Sequence, residues 1–255
     1  MLSNDKYMQE VHGHEVYTSI KKSKEKTKIK KLIIGDSTAN QLYNTETDTT
    51  SSIYSLTCNQ AIGIVGHFFL LNNYLKAGNH PEDVYMIYSP LGFWDNLDQI
   101  YTYHYFLKPF YNEEYKPLMT ENVFKQIHKI PFYYLCQNPI ILTSDWSPEL
   151  TAEKRDYTFF SPISKEYLEK IASLSKEYSF NLHIIPPFIS EYWYETINSF
   201  NINEIKGRLF FKDIKSYLKK INYINDSYFS DHLHLKHDHL GYFKNKMDST
   251  IHATQ

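Results

Sequence analysis

The architecture of this chain is indicated first by the stretch Lys31-Leu32-Ile33-Ile34-Gly35-Asp36-Ser37-Thr38. A short run of branched apolar residues that ends at a glycine is typical of a strand buried on both faces. Gly35 allows a sharp turn at the carboxyl end of that strand, so Ser37 is expected on the loop where open parallel sheets bind ligands. A serine in that place can attack a carbonyl group, although Gly-Asp-Ser is also common in plain turns.

Strand and helix patterns alternate downstream of this stretch. Ile53–Cys58 and Asp83–Pro90 are predicted strands. Between them, Ala61–Ala77 is a predicted helix, because its apolar residues recur at intervals of three and four. Ser161-Pro162 starts a second predicted helix, and Phe180–Pro187 follows it as the fourth strand. This spacing of strand, helix and strand predicts a parallel sheet.

The remaining segments complete the predicted fold. A helix over Ile202–Lys220 leads into Tyr223–Asp226, which we interpret as a fifth strand. The chain is therefore predicted to be α/β, a three-layer α/β/α sandwich around a mostly parallel five-stranded sheet, in one domain over residues 1–255. Within it, residues 1–27 are a polar amino-terminal arm whose charges indicate a solvated segment or helix face. Residues from about 97 to 157 are an aromatic-rich insertion that covers the sheet edge.

Composition excludes several classes of function. Hydrophobic residues make up 42% and charged residues 22% of the 255, so the chain is neither disordered nor embedded in a membrane. The formal net charge of -2 gives no general attraction for nucleic acid or an anionic membrane surface. No segment approaches the ~20 apolar residues of a membrane span, and the amino terminus lacks the apolar core of a secretion signal. The sequence therefore predicts a cytoplasmic protein without a membrane span.

Cysteine and isolated histidine residues give no sign of a cofactor. Cys58 and Cys136 are too few for a disulfide framework and lack metal-ligand spacing, so both are predicted to be reduced, packed thiols. His67 and His183 stand alone in the sequence and are predicted to be packed or surface residues. We predict no cofactor.

A carboxy-terminal segment, Phe229-Ser230-Asp231-His232-Leu233-His234-Leu235, carries the residues that a nucleophilic serine needs. A serine hydroxyl is a poor nucleophile without a neighbouring base, and an imidazole serves as that base only if its tautomer is fixed. Asp231 and His234 lie three apart on a turn, so the carboxylate can hold Nδ1-H and leave Nε2 to face Ser37. The sequence therefore predicts Ser37, Asp231 and His234 as catalytic residues.

A metal site is the rival interpretation of the same segment. Imidazoles and a carboxylate can hold zinc or a related ion, and five such side chains fall within eight residues: His232, His234, His237, Asp238 and His239. Their spacing lacks the i, i+4 histidine pair of a helical zinc site. A merely polar loop is the second alternative, and we predict no metal.

Gly35-Asp36-Ser37, the later Asp231-x-x-His234 and the five predicted parallel strands resemble the SGNH/GDSL hydrolases in order and spacing over most of the chain. In that family one loop supplies the serine and another supplies aspartate and histidine, on a flavodoxin-like fold. The resemblance implies a serine esterase that forms an acyl-enzyme. Its substrate would be a small-molecule or carbohydrate ester, in the first place an O-acetyl ester.

The resemblance also implies an oxyanion hole. Its donors would be the amide of Ser37, an amide after the second strand and an asparagine side chain after the third. Cys58-Asn59-Gln60-Ala61 lacks the glycine that the family has after the second strand, so the amide of Gln60, or that of Asn59, is the candidate. Ser89–Asn96 departs from the family's Gly-x-Asn-Asp, and Asn96 is the candidate side chain.

Two other functions remain open at this point. An O-acyltransferase in polysaccharide modification would use the same acyl-enzyme, and a non-catalytic SGNH-like binding module would explain the altered second and third blocks. The segment Tyr101–Tyr115 could stack on sugar rings or merely pack on the sheet. The oligomeric state is not readable from the sequence.

Overall fold

The computed structural model of this chain describes residues 11–46, 52–150 and 159–253. The first ten residues of the predicted arm, residues 47–51 before the second predicted strand and the end of the predicted insertion lie outside the described residues. None of the helices in the described ranges is both long and apolar enough to cross a membrane.

Four parallel strands form the main sheet: β1 Lys31–Gly35, β2 Ile53–Thr57, β3 Asp83–Ile87 and β4 Asn181–Ile185. Their order is β2-β1-β3-β4. Gly35 lies opposite both Thr57 and Ile87, so β1, β2 and β3 end at the same level. The direction of winding reverses between β1 and β3, and in sheets of this kind ligands bind outside the carboxyl ends of the strands at that point.

The predicted fifth strand does not join this sheet, so the expectation of five strands is wrong. Asn222–Ile224 (β6) pairs in parallel with Phe188–Ser190 (β5) in a separate two-stranded sheet. The sequence does not predict β5, because Pro186-Pro187 indicates the end of a strand. In the structure the chain becomes extended again directly after the two prolines.

Helices cover the main sheet and its edges. In chain order they are α1 His14–Ser23, α2 Ser37–Leu42, α3 Gly63–Lys76, α4 Lys108–Phe110, α5 Glu121–Ile127, α6 Pro139–Leu142, α7 Pro162–Tyr178, α8 Tyr194–Asn198, α9 Phe211–Lys219 and α10 Leu240–Ala253. The predicted helix over Ala61–Ala77 is α3 with a 3-10 turn, Gln60–Ile62, in front of it.

Alternate residues of β1 contact two separate hydrophobic cores. Leu32 and Ile34 belong to the larger core, which includes Phe69 of α3. Ile33 belongs to the smaller core, which includes Phe243 of α10. Successive side chains of a strand point to opposite faces of the sheet, so the two cores lie on its two sides. Helices therefore cover both faces of a mostly parallel sheet, which agrees with the predicted α/β class and layered arrangement.

The predicted polar arm contains a packed helix in its described part, which fits the expected helix face and not a solvated segment. Val16, Ser19 and Ser23 of α1 are buried, and the helix contacts α3 and β2. The hydroxyl of Ser19 donates a hydrogen bond to the carbonyl of Thr57 over 3.2 Å. Small hydroxyl side chains allow this close contact, and a search for apolar periodicity does not detect them.

The aromatic-rich insertion packs on α3 over its described part, residues 97–150. It begins with a π-helix, Tyr103–Leu107, that continues into α4. Four of its large rings are buried in the larger core: Tyr103, Phe106, Phe110 and Tyr115. Phe69 of α3 lies in ring contact with three of these four, at centroid distances of 5.2 to 6.3 Å. The insertion is therefore a packed cover in this part.

The predicted helix over Ile202–Lys220 is interrupted. A 3-10 turn, Ile202–Ile205, comes first, and α9 starts only at Phe211. Gly207 between them has φ +89°, which lies in the left-handed region that ends helices.

Isolated cysteine and histidine residues are packed as predicted. Cys58 and Cys136 are free and buried. His67 is fully buried in α3, where burial lowers the pKa of its imidazole to about 3, so the ring is neutral. It forms an edge contact with Tyr88 at a centroid distance of 5.3 Å.

Candidate active site

Ser37 is positioned by the abrupt end of β1. A Cβ atom on Gly35 would overlap the carbonyl oxygen of Ile87 and lie 2.6 Å from the Cβ of Ala39. Only glycine therefore allows β1, β3 and α2 to approach this closely. The chain turns at Asp36, and Ser37 is the first residue of α2. The Ser37 side chain is partly exposed at the carboxyl edge of the main sheet.

The neighbouring carboxylate, Asp36, is fully buried and holds the turn. It accepts hydrogen bonds from the amide of Thr38 at 3.0 Å, the hydroxyl of Thr38 at 2.5 Å and the amide of Ser89 at 2.7 Å. Burial raises the pKa of Asp36, and the hydrogen bonds from Thr38 and Ser89 oppose this shift. Because Ser89 follows β3, Asp36 connects the loops at the ends of two adjacent strands and fixes the start of α2.

The structure brings the three predicted catalytic residues together. Nε2 of His234 lies 2.9 Å from Oγ of Ser37, although 197 residues separate them along the chain. Nδ1 of His234 lies 2.7 Å from Oδ2 of Asp231. With a carboxylate at Nδ1, the neutral imidazole carries its proton there, so Nε2 is the atom that accepts a proton from the serine hydroxyl. His234 is partly exposed and Asp231 is exposed, which leaves the site open to solvent.

Asp231 also holds the backbone turn that carries His234. Its Oδ1 accepts hydrogen bonds from the amides of Leu233 at 3.1 Å and His234 at 2.7 Å, which leaves Oδ2 for the imidazole. Burial by itself would raise the pKa of Asp231, but the hydrogen bonds from the side chain and amide of His234 outweigh it and hold the pKa below the usual 3.8. The carboxyl group is therefore ionised at neutral pH.

A side chain of α2 bridges the serine and histidine segments. Gln41 lies four residues after Ser37, and its Nε2 donates to the carbonyl of Leu235 over 3.2 Å. The amide of Leu235 donates in turn to Oε1 of Gln41 over 3.0 Å. An isolated antiparallel bridge between Phe229 and Leu235 closes the turn around His234. The segment after His234 is therefore attached directly to the helix that carries Ser37.

The predicted oxyanion donors lie at the same edge but differ in their surroundings. The amide of Ser37 is the first of α2, and the amide of Gln60 is the first of the 3-10 turn after β2; such amides have no acceptor within their own helix. Oδ1 of Asn59 accepts from the amide of Ala61 over 2.9 Å, so the Asn59 side chain caps this turn.

The third predicted donor, Asn96, has a hydrogen bond to its side-chain oxygen. Its Oδ1 accepts from the amide of Ile163 at the start of α7, over 3.4 Å. In the described part of the chain no hydrogen bond joins Asn96 to Ser37 or His234. Asn96 therefore stays a prediction as an oxyanion donor.

The rival metal interpretation finds no matching cluster of ligands. Within residues 11–46, 52–150 and 159–253, no group of three or more histidine, cysteine and acidic side chains could hold a metal ion. His232 and His234 each contact a different carboxylate, Asp226 and Asp231, at 2.7 Å. These two histidines therefore do not converge on one point.

Sequence reasoning missed two groups that the structure places beside the predicted residues. The first is Gln41, whose only signal is its spacing of four from Ser37 on one helix face. The second is Asp226, which contacts His232 from a position six residues earlier. The sequence predicts Asp226 as the end of a strand, and nothing in its spacing indicates a contact with His232.

Comparisons with known proteins do not identify a family for this chain. No protein-family model and no curated protein match the chain. Among solved structures, the chain is similar to one described as a candidate platelet activating factor from Streptococcus pneumonia, with a TM-score of 0.41 and 11% identity. The match covers 92% of this chain and 90% of that chain. These values are too low to assign the chain to a family.

Proposed function

We propose that this chain is a serine esterase of the SGNH/GDSL type, which hydrolyses an ester, in the first place an O-acetyl ester, through an acyl-enzyme. The observation that supports this most strongly is the continuous path of short contacts from the Ser37 hydroxyl to His234 and from His234 to Asp231. A partly exposed serine at the switch point of a parallel sheet, with an oriented imidazole beside it, has the arrangement that acyl transfer requires.

In the proposed first half-reaction, Oγ of Ser37 attacks the carbonyl carbon of the ester. The serine proton passes to Nε2 of His234, and the carbonyl oxygen becomes an oxyanion. Asp231 stabilises the imidazolium and keeps Nδ1 protonated. The tetrahedral intermediate then expels the alcohol, which takes the proton from Nε2, and the acyl group stays on Ser37.

In the second half-reaction, water attacks the acyl carbonyl. His234 takes a proton from that water at Nε2 and returns it to Oγ of Ser37 as the acid departs. The enzyme is restored without a cofactor, and the atoms balance as one ester and one water giving one acid and one alcohol.

The proposed oxyanion hole uses the amides of Ser37 and Gln60 and the side chain of Asn96. The two amides start short helical turns at the ends of adjacent strands, so both are available to an oxygen at this edge. Oδ1 of Asn96 accepts from the amide of Ile163, so its Nδ2 is the atom that would donate to the oxyanion.

Burial within the insertion narrows where a sugar could stack. Tyr103 and Tyr115 are 0% and 1% exposed and cannot present a ring face to a substrate. Tyr101 is 54% exposed and remains available. A carbohydrate ester as substrate therefore depends on a few exposed rings such as Tyr101 and not on the tyrosine content of the whole segment.

Labelling with a fluorophosphonate tests the proposed function directly. The probe phosphonylates an activated serine, so the parent protein should be modified once, at Ser37, as peptide mass spectrometry would locate. The variants Ser37→Ala and His234→Ala should take up no probe, while the control Ser175→Ala should label like the parent.

The absence of labelling at high probe concentration would contradict the esterase and favour a binding module. If the parent is labelled, acetylated oligosaccharide offered with and without an acceptor sugar separates hydrolysis from acyl transfer, because the acetyl group ends on water or on the sugar.

A further inference from the structure

A second aspartate–histidine pair lies next to the catalytic one. Its histidine, His232, belongs to the turn that carries Asp231 and His234, and its aspartate, Asp226, precedes that turn. Nδ1 of His232 lies 2.7 Å from Oδ1 of Asp226. The same oxygen of Asp226 accepts a short hydrogen bond from the hydroxyl of Ser190. Ser190 ends β5 and Asp226 follows β6, so the pair connects the turn to the two-stranded sheet.

The backbone of His232 is in a conformation that L-residues seldom adopt. Its φ is +62°, in the left-handed region. This conformation turns the chain back so that Oδ1 of Asp231 accepts the amides of Leu233 and His234, while Oδ2 contacts the imidazole of His234. The left-handed residue is therefore part of the geometry that places His234 against Asp231.

Three contacts fix His232 in addition to the turn itself. Its ring stacks on the ring of Tyr192, with centroids 4.2 Å apart and planes 19° apart. Its carbonyl oxygen accepts a hydrogen bond from Nε1 of Trp193 over 3.0 Å. Its Nδ1 contacts Asp226. Strained backbone persists where surrounding contacts determine it, and here the contacts come from the ends of β5 and β6.

The group Ser190, Asp226 and His232 does not form a second catalytic triad. The Ser190 hydroxyl donates to the carboxylate of Asp226 and not to an imidazole nitrogen. That serine is also fully buried, so no substrate reaches it. The group is therefore suited to holding His232 and not to nucleophilic attack.

We propose that Asp226 and His232 are positioning residues for the acyl transfer proposed above, on which this inference rests. They hold the turn from Asp231 to His234 so that the imidazole stays within reach of both Asp231 and Ser37. The two residues act through His234 and do not touch the substrate. Loss of either should lower kcat, because a small displacement of a catalytic group can cost ~10²-fold in rate.

Substitutions at position 232 separate side-chain contacts from backbone strain. His232→Gly accepts the positive φ but loses every ring contact, and it should lower kcat for p-nitrophenyl acetate about 10- to 100-fold with KM within about twofold. Asp226→Ala should have a similar effect. His232→Asn should recover much of kcat, because asparagine tolerates the left-handed region and its amide can donate to Asp226.

His183 provides a matched control. It too contacts an aspartate, with Nε2 2.9 Å from Oδ1 of Asp83, and stacks on a tyrosine, Tyr85, at 4.8 Å. His183→Ala removes the same kinds of contact far from the turn and should leave kcat within about twofold. A value of kcat in His232→Gly equal to that of the parent would overturn the proposal, as would an equal loss in His183→Ala.

A measurement without turnover distinguishes failure of this inference from failure of the proposed function. The proton on Nδ1 of His234, held by Asp231, should give a far-downfield resonance in the proton NMR spectrum, assigned by its loss in His234→Gln. This resonance should disappear or broaden in Asp226→Ala and His232→Gly and persist in His183→Ala. If the parent shows no esterase activity, that pattern still supports the positioning role, and an unchanged resonance in both variants overturns it.

Discussion

The two ends of the main sheet carry the same three kinds of side chain in different arrangements. At the carboxyl end, His234 contacts Asp231 through Nδ1 and Ser37 through Nε2. At the amino end, a cleft is lined by Asp83, His183 and Ser175.

Contacts within the amino-end cleft leave no activated hydroxyl there. Nε2 of His183 contacts Asp83, and the hydroxyl of Ser175 donates to the carbonyl of Ala172 over 2.9 Å. In this arrangement the carboxylate and not a serine faces Nε2. The two ends therefore have the same residue types but differ in the ring nitrogen that faces the carboxylate. It is Nδ1 in His234 and Nε2 in His183.

Replacement of the serine at each end of the sheet should give the largest difference in esterase rate between the two ends. Ser37→Ala should lower kcat/KM for p-nitrophenyl acetate at least ~10³-fold, because the proposed nucleophile is lost. Ser175→Ala should leave the rate within about twofold, since its hydroxyl only caps a helix carbonyl. Initial rates on the purified variants, checked for folding by circular dichroism, decide this. Equal rates for the parent and Ser37→Ala would remove the distinction between the two ends.

Replacement of the aspartate at each end gives the next largest difference. Asp231→Asn should lower kcat about 10²- to 10⁴-fold, because the amide can donate to Nδ1 and so favour the wrong tautomer of His234. Asp83→Asn should not change kcat by more than about twofold. The same ester assay measures both variants. A similar loss in the two would mean that the Asp231 contact has only a structural effect.

The bridge from Gln41 to Leu235 has no counterpart between Ser175 and His183 among the described contacts. Gln41→Ala should lower kcat by about tenfold, since the distance from Ser37 to His234 is then less well fixed. Gln137 is the control, because its side-chain amide also donates to backbone carbonyls, those of Leu107 and Lys108, but in the insertion. Gln137→Ala should keep its kcat, so a loss of the same size there would indicate a general effect of removing partly buried glutamine side chains.

The smallest expected effect concerns stability in acid. Burial by itself would raise the pKa of Asp83, but the hydrogen bonds from His183 and Asn181 outweigh it and lower the pKa below 3.8. A carboxyl group with a lowered pKa stabilises the fold above its usual pKa and loses that contribution as the pH falls through the lowered value. The contribution should be below about 1 kcal/mol.

Urea unfolding between about pH 5 and pH 2 measures this contribution. Asp83→Asn should show a smaller fall in the free energy of unfolding than the parent over that range. A fall as steep as that of the parent would show that the Asp83 contacts do not contribute. At neutral pH, the esterase rate of Asp83→Asn should be unaffected, so stability and activity would be assigned to opposite ends of the sheet.

The elements that the sequence predicts best are those whose residues satisfy one burial requirement throughout. β1 and β3 contain continuous apolar runs, β2 has β-branched and aromatic residues at intervals, and the structure places all three within a few residues of the predicted ranges. α7 begins at Pro162 after the Ser161 cap, as predicted, and ends at Tyr178, before the predicted fourth strand. In these elements local propensity and tertiary packing agree.

Short elements that depend on distant partners were not predictable in this way. β5 is three residues long and follows two prolines, so only its pairing with β6 makes it a strand. The packed face of α1 contains small hydroxyl side chains, which carry no hydrophobic signal. Gly207 has a left-handed backbone conformation and interrupts the predicted helix before α9. The pattern of apolar residues gives no indication of this interruption.

The candidate site shows the same division. The order and spacing of Ser37, Asp231 and His234 predict that the three side chains lie together. In the structure His234 lies 2.9 Å from Ser37 and 2.7 Å from Asp231. The side chains that hold them are not apparent from spacing. Gln41 reaches a partner 194 residues away, and Asp226 contacts both His232 and Ser190, which lies 36 residues earlier in the chain.

β1 pairs on both sides, with β2 and with β3, whereas β5 and β6 pair only with each other. Backbone hydrogen bonds in a central strand open mainly with the whole domain, while those of a short two-stranded ribbon open in local fluctuations. We therefore expect the backbone amides of β1, which precedes the nucleophile, to exchange more slowly than those of β5 and β6, which hold the turn of the base. If the turn that carries His234 moved away from Ser37 for a time, no base would be in place to activate water. The acyl group on Ser37 would then persist until the turn returned.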